Sequence, residues 1–368
     1  VNQHTTVRGY RRVGGRAARL TLAAAATAAM VLGIAGMGAG AAAADTVIDT
    51  VPVGNAPFGV AITPDGSHAY VTNSDDGTVS VIETAGNTVV DTVTVGNGPV
   101  GVAVTPDGSF VYVTNGGAGF GDSVSVIETA GNTVVDTVTV GNGPSAVAVT
   151  PDGTRVYVTN ASDGTVSVIE TAGNTVVDTV TVGNGPTGVA VTPDGSHAYV
   201  TNSFDGTVSV IETAGNTVVD TVTVGNGPVG VAVTPDGSHA YVTNGGAGFG
   251  DSVSVIETAG NTVVDTVTVG NGPSAVAVTP DGTRVYVTNA SDGTVSVIET
   301  AGNTVIETVA VGTFPFGVAV TPDGSHAYVT NRDGNTVSVI AIEKCTGSLC
   351  FDFGSGTGSG TGSGSFFS

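Results

Sequence analysis

Residues 188–224 read GVAVTPDGSHAYVTNSFDGTVSVIETAGNTVVDTVTV, and this unit occurs seven times along the 368-residue chain. The Asn that ends each YVTN tetrad is Asn73, Asn115, Asn160, Asn202, Asn244, Asn289 or Asn331, so successive copies lie 42 or 45 residues apart. A fixed period of that size marks a repeat architecture, whose units are single supersecondary pieces that bury their faces only by stacking. Within the unit, GVAVT is closed by PDG, where Asp bonds nearby backbone and Gly accepts positive φ. HAYVTN runs into a DG pair in most copies, a strong hairpin signal. TVSVIE follows, AGN turns the chain, and NTVVDTVTV alternates Val with Thr and Asp before a GNGP breaker. No window carries a sustained 3.6-residue apolar stripe, so each unit is predicted to be a four-stranded antiparallel meander. Val189, Ala190, Val191, Val208, Val210 and Ile211 make the inner strands apolar on both sides, as suits a sheet between two similar sheets.

The ends of the repeat region complement each other. TVIDTVPVG (46–54) is a fourth strand without its first three, and GVAVTPDGSHAYVTNRDGNTVSVIAI (317–342) is three strands without a fourth. The expected fold is therefore an all-β, seven-bladed β-propeller with four antiparallel strands per blade, closed by the N-terminal strand completing the last blade.

These phrases, VAVTPDGSHAYVTN and DGTVSVIETAGNTVVDTVTVG, resemble the YVTN family of β-propeller repeats of bacterial and archaeal secreted and surface-layer proteins. The resemblance covers about residues 45–342 and recurs in every blade. It implies the propeller fold and a place outside the cell; its residues are those that hold blades together, and fold does not imply function.

Composition agrees with a turn-dense all-β chain: 40% hydrophobic but 5% aromatic, with no Trp and 57 Gly. Residues 1–44 read as a signal peptide, with Arg8, Arg11, Arg12, Arg16 and Arg19 before an apolar run that ends in Ala41 to Ala44. A membrane anchor is the alternative reading of the same stretch. Removing it leaves Arg155, Arg284, Arg332 and Lys344 against 31 acidic side chains, a formal charge of −27. Such a body repels phosphate backbones, so nucleic acid is not expected as a partner, nor is membrane insertion after cleavage. Residues 45–344 form the propeller, and 345–368 a Cys-pair loop with a flexible Gly/Ser/Thr-rich tail. Cys345 and Cys350 predict a small disulfide in an exported chain; a free thiol pair or a metal site is the alternative, though no His or further Cys lies nearby.

Two rings of carboxylates are expected on opposite faces. One comprises Asp75 or Asp76, Asp122, Asp163, Asp205, Asp251, Asp292 and Asp333, in the loops after the second strands. The other comprises Asp65, Asp107, Asp152, Asp194, Asp236, Asp281 and Asp323, in the PDG turns. Calcium is one reading, but most precede a Gly in turns that Asp favours for its own backbone bond, and no metal or cofactor is expected. His68, His197, His239 and His326 share a position that Phe110, Arg155 and Arg284 fill elsewhere, as an exposed strand position would allow. The candidate ligand-binding residues are instead the aromatics where blades differ: Phe120 and Phe249 on the GGAGFGDS loops, Phe204 on the equivalent loop, and Phe58 and Phe316 at the start of the first and last full repeats. Residues 112–176 recur unchanged as 241–305, and near-identical blades supply the same groups repeatedly rather than the unlike groups a catalytic site needs. The expected function is a secreted, non-catalytic propeller binding protein or cell-envelope glycan ligands, or serving as a structural module. A propeller enzyme, lactonase-like or oxidoreductase, is the alternative, with its chemistry in the central channel.

Overall fold

The computed structural model describes residues 44–117, 121–246 and 250–343. The predicted signal peptide, Cys345, Cys350 and the tail lie outside the described residues. Within them, 28 strands form seven four-stranded antiparallel sheets. In the first blade, β2 (Pro57–Ile62), β3 (His68–Asn73), β4 (Thr78–Glu83) and β5 (Thr88–Thr94) lie side by side in chain order. In the seventh, β26 (Pro315–Val320), β27 (His326–Asn331) and β28 (Thr336–Ala341) are completed by β1 (Thr46–Pro52), with Thr46 opposite Ala341 and Pro52 opposite Thr336. The predicted closure is the observed one.

The YVTN tetrad stacks the blades. Its Val is fully buried between sheets, as Val71 and Val200 show. Its Thr lies beside the inner strand of its own blade and donates to a carbonyl of the next: Thr72 Oγ1 to Val100 O at 2.8 Å, Thr201 to Val229 O at 2.8 Å, and Thr330 to Phe58 O at 2.7 Å, which shuts the ring. Its Tyr donates to the Asn of the next blade's AGN turn, as from Tyr70 to Asn132 at 2.8 Å and from Tyr328 to Asn87 at 2.7 Å. That Asn is held in the left-handed region, with φ 49° at Asn87 and 47° at Asn132, which Asn tolerates better than most residues. Its own Asn is buried and donates to hydroxyls of the third strand, and at Asn115, Asn202 and Asn331 it also accepts from a Gly N–H of the preceding crossover. Asn202 Nδ2 donates to Thr207 and Ser209 hydroxyls at 3.1 and 2.9 Å, while Oδ1 accepts from Gly183 N–H at 3.0 Å.

Asn202 has no exposed surface. Asn202→Leu would leave the Ser209 hydroxyl and Gly183 N–H without this partner, and each stranded buried group costs about 1–3 kcal/mol. The expected result is a loss of roughly 2–4 kcal/mol, read as a melting temperature several degrees lower; an unchanged melting temperature would remove the Asn from the stability argument.

Two features depart from the alternation read in the sequence. The innermost strand of each blade is only partly buried, because one side faces an open channel, and in β2 only Pro57 is buried; the second and third strands are enclosed as expected, with Val208, Val210 and Ile211 fully buried. The outer strands are wetter than expected: in β5 only Val93 is buried. A bulge explains this. Val81 pairs with Asp91 and Ile82 with Val89, so Val90 is unpaired and 52% exposed, and Ile48 is its counterpart in β1 at 53%. Bulges twist an edge strand away from further pairing, which protects the seven outer edges from edge-to-edge association.

Candidate functional site

The inner strands converge on a cavity of about 560 Å³ at the mouth of the channel, on the face that carries the loops after the second strands. Its walls come from the residue after the strand-opening Pro: Phe58, Val100, Ser145, Thr187, Val229, Ser274 and Phe316 around the ring. The next position is Gly or Ala because the blades meet there: a Cβ on Gly188 would lie 2.3 Å from Val229 O, and one on Gly317 2.5 Å from Phe58 O. Glycine at these places lets inner strands approach closely.

Ring closure places Phe58 beside Phe316, with centroids 3.8 Å apart and planes tilted by 38°. Arg332 sits over both Phe58 and Phe314, its guanidinium carbon 5.9 and 5.6 Å from the ring centroids, within cation–π range. Among the described residues that line the cavity, Arg332 is the one ionisable group. Arg155 and Arg284 are engaged elsewhere: Arg155 donates to Thr213 O at 2.9 Å, and Arg284 pairs with Asp45 at 3.2 Å. Arg332 thus offers a cation to solvent on a strongly acidic body.

Phe314 and Arg332 are not among the sequence candidates. The signal was present as a change of GNGP to GTFP at 312–315, in a segment read only as a strand breaker. The other blades put Gly at that left-handed position, or Ala56 in blade one, whereas Phe314 adopts φ 54°. A bulky side chain there costs on the order of 1 kcal/mol or more, and such strain concentrates where function holds it in place. Of the sequence candidates, Phe58 and Phe316 meet at the cavity. Phe204 stands apart, 83% exposed, its ring lying over Gly185. Phe120 and Phe249 lie outside the described residues.

The carboxylate rings are structural in different ways. In the PDG turns, Asp65 Oδ1 accepts from Thr63 Oγ1 at 2.6 Å and Ser67 N–H at 3.0 Å, the local bonding expected of Asp. These bonds, that to the Thr63 hydroxyl first, hold the Asp65 carboxyl down to about 2, and Asp194, Asp236 and Asp323 likewise. In the other ring the partner is not the turn's own backbone. Asp76 accepts from Asn55 N–H at 2.7 Å and Asn55 Nδ2 at 2.8 Å, and Asp163, Asp205 and Asp292 hold Asn142, Asn184 and Asn271 in the same way. The expectation of self-bonding is corrected there: the carboxylate reaches back to the crossover that feeds its own blade.

The histidine position is half-buried rather than exposed, with His68 Nδ1 2.8 Å from Ser67 Oγ. Asp65, Ser67 and His68 lie together, but the carboxylate bonds the serine and not the imidazole. A nucleophilic triad needs the acid to orient the His and the His to accept from the Ser, so the order is wrong for that chemistry. Among the described residues, no group of three or more His, Cys, Asp or Glu side chains could hold a metal ion.

Fold and site together define a closed seven-bladed propeller with a small apolar channel mouth, broken at one arc by aromatic rings and a cation. The chain belongs to the family described as "Lactonase, 7-bladed beta-propeller", which it matches over residues 47–177, 174–304 and 255–354. No curated protein matches it. Among solved structures it is similar to Kuenenia stuttgartiensis hydrazine synthase, with a TM-score of 0.71 and 26% identity over 78% of this chain and 96% of that one.

Proposed function

We propose that this chain is an exported, non-catalytic propeller of the YVTN type, a cell-surface or extracellular module that binds protein or envelope-glycan ligands at the arc formed by Phe58, Phe314, Phe316 and Arg332. The observation that carries this reading is the broken symmetry of the channel mouth. Five blades present Val, Ser or Thr there, while the two that meet at the closure present stacked rings under a guanidinium. Aromatic faces suit sugar rings or apolar side chains, and an Arg over them suits a carboxylate on either class of ligand. Hydrolysis of a lactone is the competing reading, favoured by the family match. Against it, the described lining offers hydroxyls, backbone and one Arg, and no group of ordinary acid–base strength near neutral pH to move a proton.

The test is retention of the exported protein on cell-envelope fractions, comparing wild type with Phe58→Ser/Phe316→Ser and with Arg332→Ala. Loss of at least tenfold in affinity, about 1.4 kcal/mol, is expected for each. Unchanged retention would discard the arc, and turnover of simple lactones by the wild type would replace the binding reading by the enzymatic one.

A further inference from the structure

Seven tyrosines cross the blade boundaries, and six donate to an Asn of an AGN turn. The boundary between blades six and seven has no such turn, because its outer strand is β1. There Tyr286 donates to the carboxylate of Asp45. That carboxylate also accepts from Arg284 Nη1 at 3.2 Å and from the backbone N–H of Glu343 at 2.8 Å, and Asp45 is only 4% exposed. The backbone nitrogen of Asp45 donates to Glu307 Oε2 at 3.1 Å.

The boundary between blades three and four is its close copy. Arg155 and Tyr157 approach Asn216, and Asn216 Nδ2 donates to Asp178 Oδ2 at 3.1 Å. At the closure, a main-chain nitrogen takes the place of that side-chain amide, and the receiving acid is one methylene longer. The sequence marks the same spot: the two long copies are identical to Val176 and Val305, and then Val177-Asp178 becomes Ile306-Glu307.

We propose that Asp45 is the first residue of the working protein and that Glu307 is the docking site for its α-ammonium group, so that processing completes the closure of the ring. The inference rests on the export reading above. The step is hydrolysis of the Ala44–Asp45 peptide bond by a signal peptidase: one water is consumed, and Ala44 leaves with a carboxylate while Asp45 gains the ammonium. With a peptide nitrogen, Arg284 pairs with the Asp45 carboxylate and Glu307 receives only a neutral N–H; an ammonium there gives Glu307 a cation of its own. A charge-assisted bond is roughly twice as strong as a neutral one. The other groups around it are Tyr286 and the exposed Glu343 side chain. Ala44, the residue before the bond to be cut, is exposed. A carboxylate partner raises the amino group above its unfolded value of about 8, so its stabilisation is full below that pH and fades as pH rises through the folded value.

The experiment exports the full chain under its own leader and reads the mass of the product, then titrates its amine reactivity. Lys344 is the sole lysine, so Lys344→Arg leaves the α-amine as the only primary amine once the leader is gone. The expected product begins at Asp45, and its acylation midpoint lies about one pH unit above that of Glu307→Gln, with Glu307→Asp, the residue other blades carry, in between. A product that retains residues before Asp45 overturns both the export reading and this one. A product beginning at Asp45 whose midpoint is the same in Glu307→Gln overturns this one alone.

Discussion

A chain that begins after Pro52 is expected to lose its cooperative native state. Among the described residues, β1 is the one strand that covers the outer edge of β28, and without it six paired positions on β28 are opened, from Thr336 to Ala341. Val51, 3% exposed, packs with Ala69, Val71 and Ile82 of blade one and Tyr328, Val337 and Val339 of blade seven, while Val47 packs on the other side against the cluster of Tyr286 and Val297. One strand therefore joins three blades. Burial of a Val contributes about 1.5–3 kcal/mol and each ladder hydrogen bond about 0.5–1.5 kcal/mol. Together these approach the whole stability of a typical domain, about 5–15 kcal/mol. The exposed edge is also a template for pairing with a second chain. The measurements are thermal unfolding and size-exclusion chromatography, with the peptide DTVIDTVPV (45–53) added in trans. Loss of the transition or aggregation, reversed by the peptide, is expected; a monomer that melts as the intact chain does would show that β1 is dispensable.

The second large effect is alkaline. Seven of the eight tyrosines are the blade latches, each no more than 2% exposed, and the eighth, Tyr10, lies in the predicted leader. Burial first, and then the neighbouring aspartates, push Tyr70, Tyr112, Tyr199, Tyr241 and Tyr328 up to about 12; burial also raises Tyr157, and raises Tyr286 furthest. A phenol whose folded value exceeds its unfolded value of about 10 adds stability that is complete below pH 10 and is lost as pH rises toward the folded value. Seven act in the same direction, and every blade boundary holds one. The processed chain is expected to show almost no phenolate absorbance at 295 nm up to about pH 11, and then to ionise and unfold in one step. With no Trp, the signal is unobscured. A smooth titration centred near pH 10 in a protein whose circular dichroism stays native would contradict the latch geometry.

Much of the fold is legible because its information is local. PDG, AGN and DG turns act over three or four residues, strand alternation over six, and the 42- or 45-residue period counts the blades. Contacts that depend on the angle between blades are not local. The partner of Tyr70 is Asn132, 62 positions away and one blade on, and nothing in the HAYVTN segment names it. Asp76 and Asn55 are 21 positions apart and meet only because the crossover folds under the loop. The outer bulge at Val90 leaves no mark in a run of alternating Val and Thr that is consistent with an ordinary strand.

The candidate site divides in the same way. Phe58 and Phe316 are visible as departures from the repeat, and so, read more closely, is Phe314 where a glycine stands in five other blades. By itself the sequence determined the number of blades, the direction of the chain through each, and the closure by complementary ends, because turn chemistry and period are properties of short segments. Only the tertiary structure decided that the aromatic residues of the first and last blades stack under Arg332, and that Asp45 meets Glu307, Arg284 and Tyr286. These groups are distant along the chain, and their approach depends on how seven rigid sheets pack once the ring has closed.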